Sequence, residues 1–337
     1  MVVVGKNRNF LTQNNLEIVI DKYPFLEDYL KDNLIDIDLN KNIVEILNDY
    51  DESQLEEKGI DKNLFIDNIE KFLGQMIEIL GLEENKVESM KIVSGINKKG
   101  EKENYNEIVI NKGEIVSIVG PTGSGKSRLL ADIEWGAQGD TPTQRKILIN
   151  EKPLSREQRF STSNKLVAQL SQNMNFVMDL TVYEFLELHA KSRLIENEEE
   201  VIEKIFKKAN ELAGEKFSID MPITSLSGGQ SRALMIADTA ILSTSPIVLI
   251  DEIENAGIDR KKALDLLVSE EKIVLMATHD PLLALMGNKR IVINNGGIVK
   301  IMEITQEERA ILKDLIKIDM TMQSVRNKLR YGEKIEI

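Results

Sequence analysis

The stretch Gly120-Pro121-Thr122-Gly123-Ser124-Gly125-Lys126-Ser127 constrains this chain more than any other. An apolar run, Glu114-Ile115-Val116-Ser117-Ile118-Val119, leads into it, and Arg128-Leu129-Leu130-Ala131-Asp132-Ile133 leads out. That order predicts strand, glycine loop, helix, the setting in which such a loop cradles phosphate. Three glycines let the backbone curl until successive N–H groups point inward as an anion nest. The helix behind the loop adds its positive N-terminal end to the same site. Lys126 can then reach the outer phosphates, and the Ser127 hydroxyl can ligate Mg²⁺. An α/β domain that binds a phosphorylated ligand is the expectation.

The 337 residues leave room for two domains, one of them large. With 42% hydrophobic and 29% charged residues, ordinary globular cores are expected. No apolar run approaches the ~18 residues that span a bilayer. Met1-Val2-Val3-Val4-Gly5 stops at Lys6 and Arg8, short of the ~7–15-residue apolar core of a secretory signal. The chain is therefore expected in the cytoplasm, with any membrane role supplied by a partner. The absence of cysteine excludes disulfides, Cys-ligated zinc and Cys-ligated iron–sulfur clusters. Two histidines are few for a His-rich metal site.

The net charge of −13 is uneven, because residues 1–90 hold 9 Lys and Arg against 20 Asp and Glu. An acidic front end repels nucleic acid and anionic lipid, so no direct nucleic-acid partner is expected there. Residues 1–89 predict a small all-α domain. Leu16 to Leu30, with Pro24 placed to open a helix, is one candidate; Asn40 to Leu47 is a second. The third is Leu64 to Leu80, where Phe65, Ile66, Ile69, Phe72, Leu73, Met76, Ile77 and Leu80 recur at helical spacing. Three helices with polar connections imply a small bundle. Through Lys22-Tyr23-Pro24-Phe25-Leu26-Glu27-Asp28-Tyr29-Leu30 this segment resembles a small helical domain attached to some iron and redox proteins. Those relatives often carry cysteines, so no metal function carries over to a chain without them.

From residue 90 the pattern changes to short strands: Met90 to Val93, Glu107 to Ile110, the run before the glycine loop, Lys146 to Asn150 and Leu166 to Leu170. Residues 181–213 read as charged helix. Ile247 to Ile250 and Lys272 to Met276 are nearly continuous in Val, Ile and Leu, as strands buried on both faces of a parallel sheet are. Residues 305–337 predict a helical tail, opened by a Thr305…Glu308 capping box. Its stripe of Ile311, Leu312, Leu315, Ile316, Ile318, Met322, Val325 and Leu329 is expected to pack into the core.

A second motif, Leu226-Ser227-Gly228-Gly229-Gln230, decides the type of domain. Physically it is a small polar loop at a helix N-terminus, another anion site. It is identical to the signature of the ATP-binding cassette (ABC) ATPases, which this chain resembles over about residues 90–300, within an expected domain of residues 90–304. The resemblance implies a P-loop ABC-type ATPase domain with a helical subdomain, binding ATP and Mg²⁺. Ser227, Gly228, Gly229 and Gln230 would then cover the γ-phosphate of ATP held by an opposite subunit. One loop and one signature per chain imply a head-to-tail pair, either a homodimer or a pairing with a second ABC subunit.

Other family parts follow in order. Pro246-Ile247-Val248-Leu249-Ile250-Asp251-Glu252 resembles a Walker B strand, with Asp251 on Mg²⁺ and Glu252 orienting or deprotonating the attacking water. Gln172 resembles the Q-loop glutamine that senses Mg²⁺ and γ-phosphate, with Gln169 a nearby competitor. His279, in Ala277-Thr278-His279-Asp280, matches the switch histidine; His189 matches no motif and reads as structural. Ala256-Gly257-Ile258-Asp259 resembles the D-loop, with Asp259 its polar contact across the dimer. Two departures stand out. Ile253-Glu254-Asn255 follows the glutamate where transport cassettes usually have Pro-Thr-Ser. No aromatic lies near Gly95-Ile96-Asn97, where the family places one to stack on adenine, and Tyr105 is too close to the loop strand to replace it.

An ATPase acting as a two-state clamp on a partner protein is the reading. The departures and the acidic front domain lean it to a soluble partner, a protein to be remodelled or an enzyme to be activated. The alternative is the ATP-binding subunit of an ABC transporter, with a membrane permease as partner. A regulatory module that binds without hydrolysing is opposed by Lys126, Asp251, Glu252 and His279 together.

Overall fold

The structure is a computed structural model, and it describes residues 3–80, 87–161, 165–171, 176–193, 195, 197–251 and 257–335. The chain divides into two compact units, Met1–Glu83 and Glu84–Ile337.

Among the described residues of the first unit every element is a helix: α1 (Val3–Gln13), α2 (Leu16–Lys22), α3 (Phe25–Asp32), α4 (Ile43–Asp49), α5 (Glu52–Glu57) and α6 (Lys62–Leu80). Six helices replace the three expected. The three beyond the expectation are α1, the split of the first candidate into α2 and α3 at Tyr23 and Pro24, and α5, which Asp51 caps through a reciprocal box with Gln54, as Asn42 caps the expected α4 with Glu45. Pro24 does open α3, standing at its N-cap without a side-chain cap bond, after α2 has ended at Lys22 with Tyr23 as its C-cap. Around it Tyr23, Leu26 and Leu30 are buried beside Ile69 and Leu73 of α6, and Tyr29 stacks on Phe72 at 4.3 Å. The Lys22–Leu30 stretch thus builds this unit's core.

The second unit opens with β1 (Ser89–Val93), β2 (Glu107–Asn111), β3 (Ile115–Val119), α7 (Lys126–Glu134), β4 (Lys146–Ile149), β5 (Lys152–Pro153), α8 (Arg156–Phe160) and β6 (Val167–Leu170). It continues with α9 (Val182–Lys191), α10 (Glu198–Leu212), α11 (Gly228–Ile241), β7 (Ile247–Asp251), α12 (Arg260–Ser269), β8 (Ile273–Ala277), α13 (Pro281–Met286), β9 (Lys289–Asn294), β10 (Gly297–Glu303) and α14 (Gln306–Arg330). An antiparallel sheet runs in the order β2-β1-β4-β5, and a second sheet in the order β10-β9-β3-β8-β7-β6. In the second, β9, β3, β8, β7 and β6 are parallel, while β10 returns antiparallel to β9. Strands β9 and β10 exceed the sequence expectation. Their hairpin turns through Asn295 and Gly296, both left-handed at φ 49° and 79°.

Alternate residues of the parallel strands feed two cores. Ile247 and Leu249 share one with Leu129, Leu130 and Ile133 of α7. Val248 and Ile250 share the other with Ala233, Leu234 and Ala237 of α11. Because side chains alternate across a strand, α7 and α11 lie on opposite faces of the sheet. The tail corrects an expectation: in α14 none of the eight stripe residues is buried. Among the described residues no helix is long and apolar enough to cross a membrane.

Candidate functional site

Strand β3 delivers the chain into the glycine loop, and α7 leaves it, as a phosphate cradle requires. Two glycines are obligatory here. A Cβ on Gly120 would fall 2.3 Å from the Ile293 carbonyl oxygen, and one on Gly125 would fall 2.9 Å from Gly296 Cα. Gly125 also caps α7 at φ 111°, a backbone that L side chains rarely adopt. Pro121, Thr122 and Gly123 lie exposed on the loop between them. Within the loop the Ser124 N–H donates to the Pro121 carbonyl (3.1 Å), and the Gly296 N–H donates to that of Ser124 (2.7 Å). The β9–β10 hairpin therefore braces the loop from behind.

Lys126 curls over its own loop, its Nζ donating to the carbonyls of Gly120 (2.9 Å) and Pro121 (3.3 Å). Ser127 is exposed one residue further along α7. Ser124 Oγ is buried and has no hydrogen-bond partner. An orphaned hydroxyl in a loop capped by a helix N-terminus fits an anion that would satisfy it.

The register of the parallel sheet places other candidates at the same edge. Asp251 ends β7 level with Ala277 of β8, which in turn pairs Ile118 of β3. His279 follows β8 and is exposed, so its loop leaves the sheet between the glycine loop and Asp251. Ligands of open α/β sheets bind at this carboxyl edge. Gln172 and Glu252 lie outside the described residues. The competitor Gln169 is inside β6, paired with Leu249.

The second motif caps α11. Ser227 Oγ accepts from the Gln230 N–H (3.3 Å), while the Ser227 N–H donates to Gln230 Oε1 (2.8 Å). Ser227 and Gly228 are exposed, and a Cβ on Gly228 would meet nothing within 4 Å. A Cβ on Gly257 would lie 3.6 Å from Gly229 Cα, so the two motif loops adjoin. Asp259 caps α12, accepting from the Lys262 N–H (3.1 Å). His189 Nδ1 lies 3.0 Å from Asp238 Oδ1, and its ring rests on Phe185, a structural setting.

Several residues around the loop carried no sequence signal. Arg145 is wholly buried, and its guanidinium joins Glu103 (2.6 and 3.1 Å), Asp132 of α7 (3.0 Å) and the Gly296 carbonyl (2.9 Å). Burial alone would raise the Glu103 carboxyl, but the Arg145 bond and charge hold it below the usual range. Burial likewise works against the Arg145 charge, and Glu103 raises it. The Tyr105 hydroxyl donates to Glu103 Oε2 (3.1 Å), and its ionisation is pushed up by burial and by the Glu103 charge. It is thus held in this network rather than free to stack on a base. Lys98, in the β1–β2 connection, reaches the loop directly, with Nζ donating to the Gly123 carbonyl (3.0 Å).

Comparison with known proteins agrees with this layout. Residues 105–255 match the family described as ABC transporter. An uncharacterized ABC transporter ATP-binding protein of Methanocaldococcus jannaschii is 50% identical over 249 residues, covering 74% of this chain and 95% of that protein. The lipoprotein-releasing system ATP-binding protein LolD of Ehrlichia ruminantium is 32% identical over 230 residues, covering 60% of this chain and 94% of its own. A solved structure of the ATP-binding subunit of an ABC transporter shares the fold, with a TM-score of 0.50 and 20% identity over 69% of this chain and 99% of that one. By its glycine loop, its capped signature helix and its similarity to that archaeal protein, this chain belongs to the ABC ATPase family.

Proposed function

We propose that this ATPase is the ATP-binding subunit of an ABC transporter, hydrolysing MgATP to drive a membrane permease. The single observation that carries the transport reading is the 50% identity, over nearly its full length, to a protein named an ABC transporter ATP-binding protein. The soluble partner to which the departures in sequence leaned has no comparable support among the relatives. LolD is named as the ATP-binding protein of a lipoprotein-releasing system, and so the comparisons favour the alternative.

In this reading Gly120 to Ser127 hold the phosphates, with Lys126 leaving its loop carbonyls for the outer ones. Ser127 and Asp251 offer hard oxygen donors of the kind Mg²⁺ takes, with Gln172 a third. When bound, the ion neutralises phosphate charge. Glu252 orients or deprotonates the attacking water, and His279 contacts the γ-phosphate. Ser227 to Gln230 complete the site of a second chain, and Asp259 meets that chain at the D-loop. Placement of α7 and α11 on opposite faces of one sheet supports the use of the signature in trans. ATP then favours the closed pair because only that state supplies both sets of contacts.

The test is the Glu252→Gln chain, affinity-purified from its own host in MgATP. The substitution is expected to lower turnover at least a hundredfold while ATP binding persists, trapping the closed pair with its partner. Recovery of a multi-spanning membrane protein supports the transport reading. Recovery of a soluble enzyme, lost when residues 1–83 are deleted, overturns it.

A further inference from the structure

Two ammonium groups lie on the glycine loop, and only one of them belongs to its motif. Lys126 Nζ rests on the carbonyls of Gly120 and Pro121, and Lys98 Nζ rests on that of Gly123, at 3.0 Å. Among the described residues neither lysine forms an ion pair, so each ammonium is spent on neutral carbonyls. The fold puts Lys98 there. Its turn is tied internally: Asn97 Oδ1 accepts the N–H groups of Lys99 (2.8 Å) and Glu101 (3.1 Å), and the Gly100 N–H donates to the Asn97 carbonyl (3.0 Å). The turn is also tied to the β9–β10 hairpin, because the Lys98 N–H donates to the Asn295 carbonyl (3.0 Å). From there the lysine stem crosses Gly296, where a Cβ would fall 2.7 Å from Lys98 Cγ. Gly296 is the residue whose N–H braces Ser124, so the stem, the hairpin and the loop lie one on another. The turn fixes the Cα, while the exposed side chain keeps the rotations of its four-carbon stem.

We propose that Lys98 is a second phosphate-binding lysine, whose ammonium exchanges the Gly123 carbonyl for an oxygen of the nucleotide's phosphate chain. The exchange replaces a bond to a neutral acceptor by a charge-assisted one, about twice as strong. Ser124 Oγ, buried and unpartnered one residue on from Gly123, is a second sign that this part of the loop takes an anion. An ammonium is a compact charge with three donors, so a phosphate oxygen is a stronger acceptor for it than a neutral base or ribose. Lys98 therefore adds to the grip on phosphate and is indifferent to the base. The inference rests on the loop being the nucleotide cradle of the reading above, and not on the transport partner.

The experiment displaces a fluorescent ATP analogue from the full-length chain, in a chelator, with ATP, GTP and inorganic tripolyphosphate as competitors. Lys98→Met keeps a stem over Gly296 and removes the charge. Its dissociation constants should rise about tenfold for all three competitors, with the melting temperature of the unliganded protein unchanged. Lys98→Arg keeps the charge and should stay within about threefold of wild type. Lys99→Met, which alters the next lysine of the same turn, should behave as wild type. A loss confined to the two nucleotides, or a tripolyphosphate that displaces nothing from wild type, puts Lys98 on base or ribose and overturns the proposal. An equal loss in Lys99→Met would mean diffuse surface charge, and an equal loss in Lys98→Arg would mean packing of the stem; either overturns it, as does a melting temperature that falls with affinity. Lys98→Met binding ATP as tightly as wild type overturns it and leaves the cradle standing, whereas a wild type that binds none of the three overturns both.

Discussion

Arg145 and Glu103 form a bidentate pair with no solvent exposure on either side chain, 2.6 and 3.1 Å across its two bonds. The pair reaches the nucleotide loop by two routes. Arg145 also bonds Asp132, on the helix that starts at Lys126, and the carbonyl of Gly296, whose N–H braces Ser124. A buried ion pair contributes little over an apolar replacement of both partners, but loss of one partner strands a charge.

Glu103→Gln or Arg145→Met is therefore expected to destabilise the chain by about 3–5 kcal/mol. Urea unfolding measures the loss. In preparations that remain folded, ATP affinity should also fall severalfold, because the brace behind the loop loosens. Affinity that stays at the wild-type level would show the network to be a core feature with no bearing on the loop.

The same pair sets an acid limit. The folded-state carboxyl of Glu103 titrates below its ordinary value, so its contribution is fully present above about pH 4.3 and disappears as pH falls through the folded value. The stability gap between wild type and Glu103→Gln should be flat from about pH 5 to 7 and narrow only below about pH 4. Unfolding curves taken across that range check the sign. A gap that widens on acidification contradicts it.

Ser124→Ala should split two readouts. Its hydroxyl is buried without a partner, so removing it relieves a cost of about 1–3 kcal/mol and the melting temperature should hold or rise. If bound phosphate is what satisfies that oxygen, ATP affinity should drop about tenfold in the same variant, read by fluorescent-nucleotide titration. Equal affinity removes the serine from the cradle.

Two glycines separate the loop from the signature. Gly125→Ala meets Gly296 Cα and a left-handed backbone, so a cost of about 1–3 kcal/mol and a loss of ATP binding are expected. Gly228→Ala meets nothing within its own chain. It should leave stability and ATP binding intact while lowering ATPase turnover, if the contact proposed for it lies in another chain. Turnover at the wild-type rate counts against use of the signature in trans.

The loop, the capped signature and most strands of the second unit were legible because each is encoded within a few consecutive residues. Glycine supplies a backbone conformation, Ser227 finds its cap partner three residues on, and runs of Val, Ile and Leu mark strands buried on both faces. The six-helix division of the first unit was less legible, because Asp51 starts α5 inside a stretch that the apolar period alone treats as a connection, and Pro24 begins a new helix inside one periodic stretch. Gln172 and Glu252 rest on resemblance to the family, since local pattern says only that a glutamine follows one strand and an acid ends another.

Sequence by itself thus determined that this chain carries a phosphate loop and an ABC signature, because the physics of both is local. Tertiary structure decided what lies around them. Arg145 meets Glu103 from 42 residues away and Gly296 from 151, and no composition or spacing announces such a meeting. Packing likewise decided the fate of the tail stripe. A period of 3.5 to 3.6 says that a helix has an apolar side, but only the fold says whether that side meets the core or, as at Ile311, Ile318, Met322 and Leu329, stays exposed.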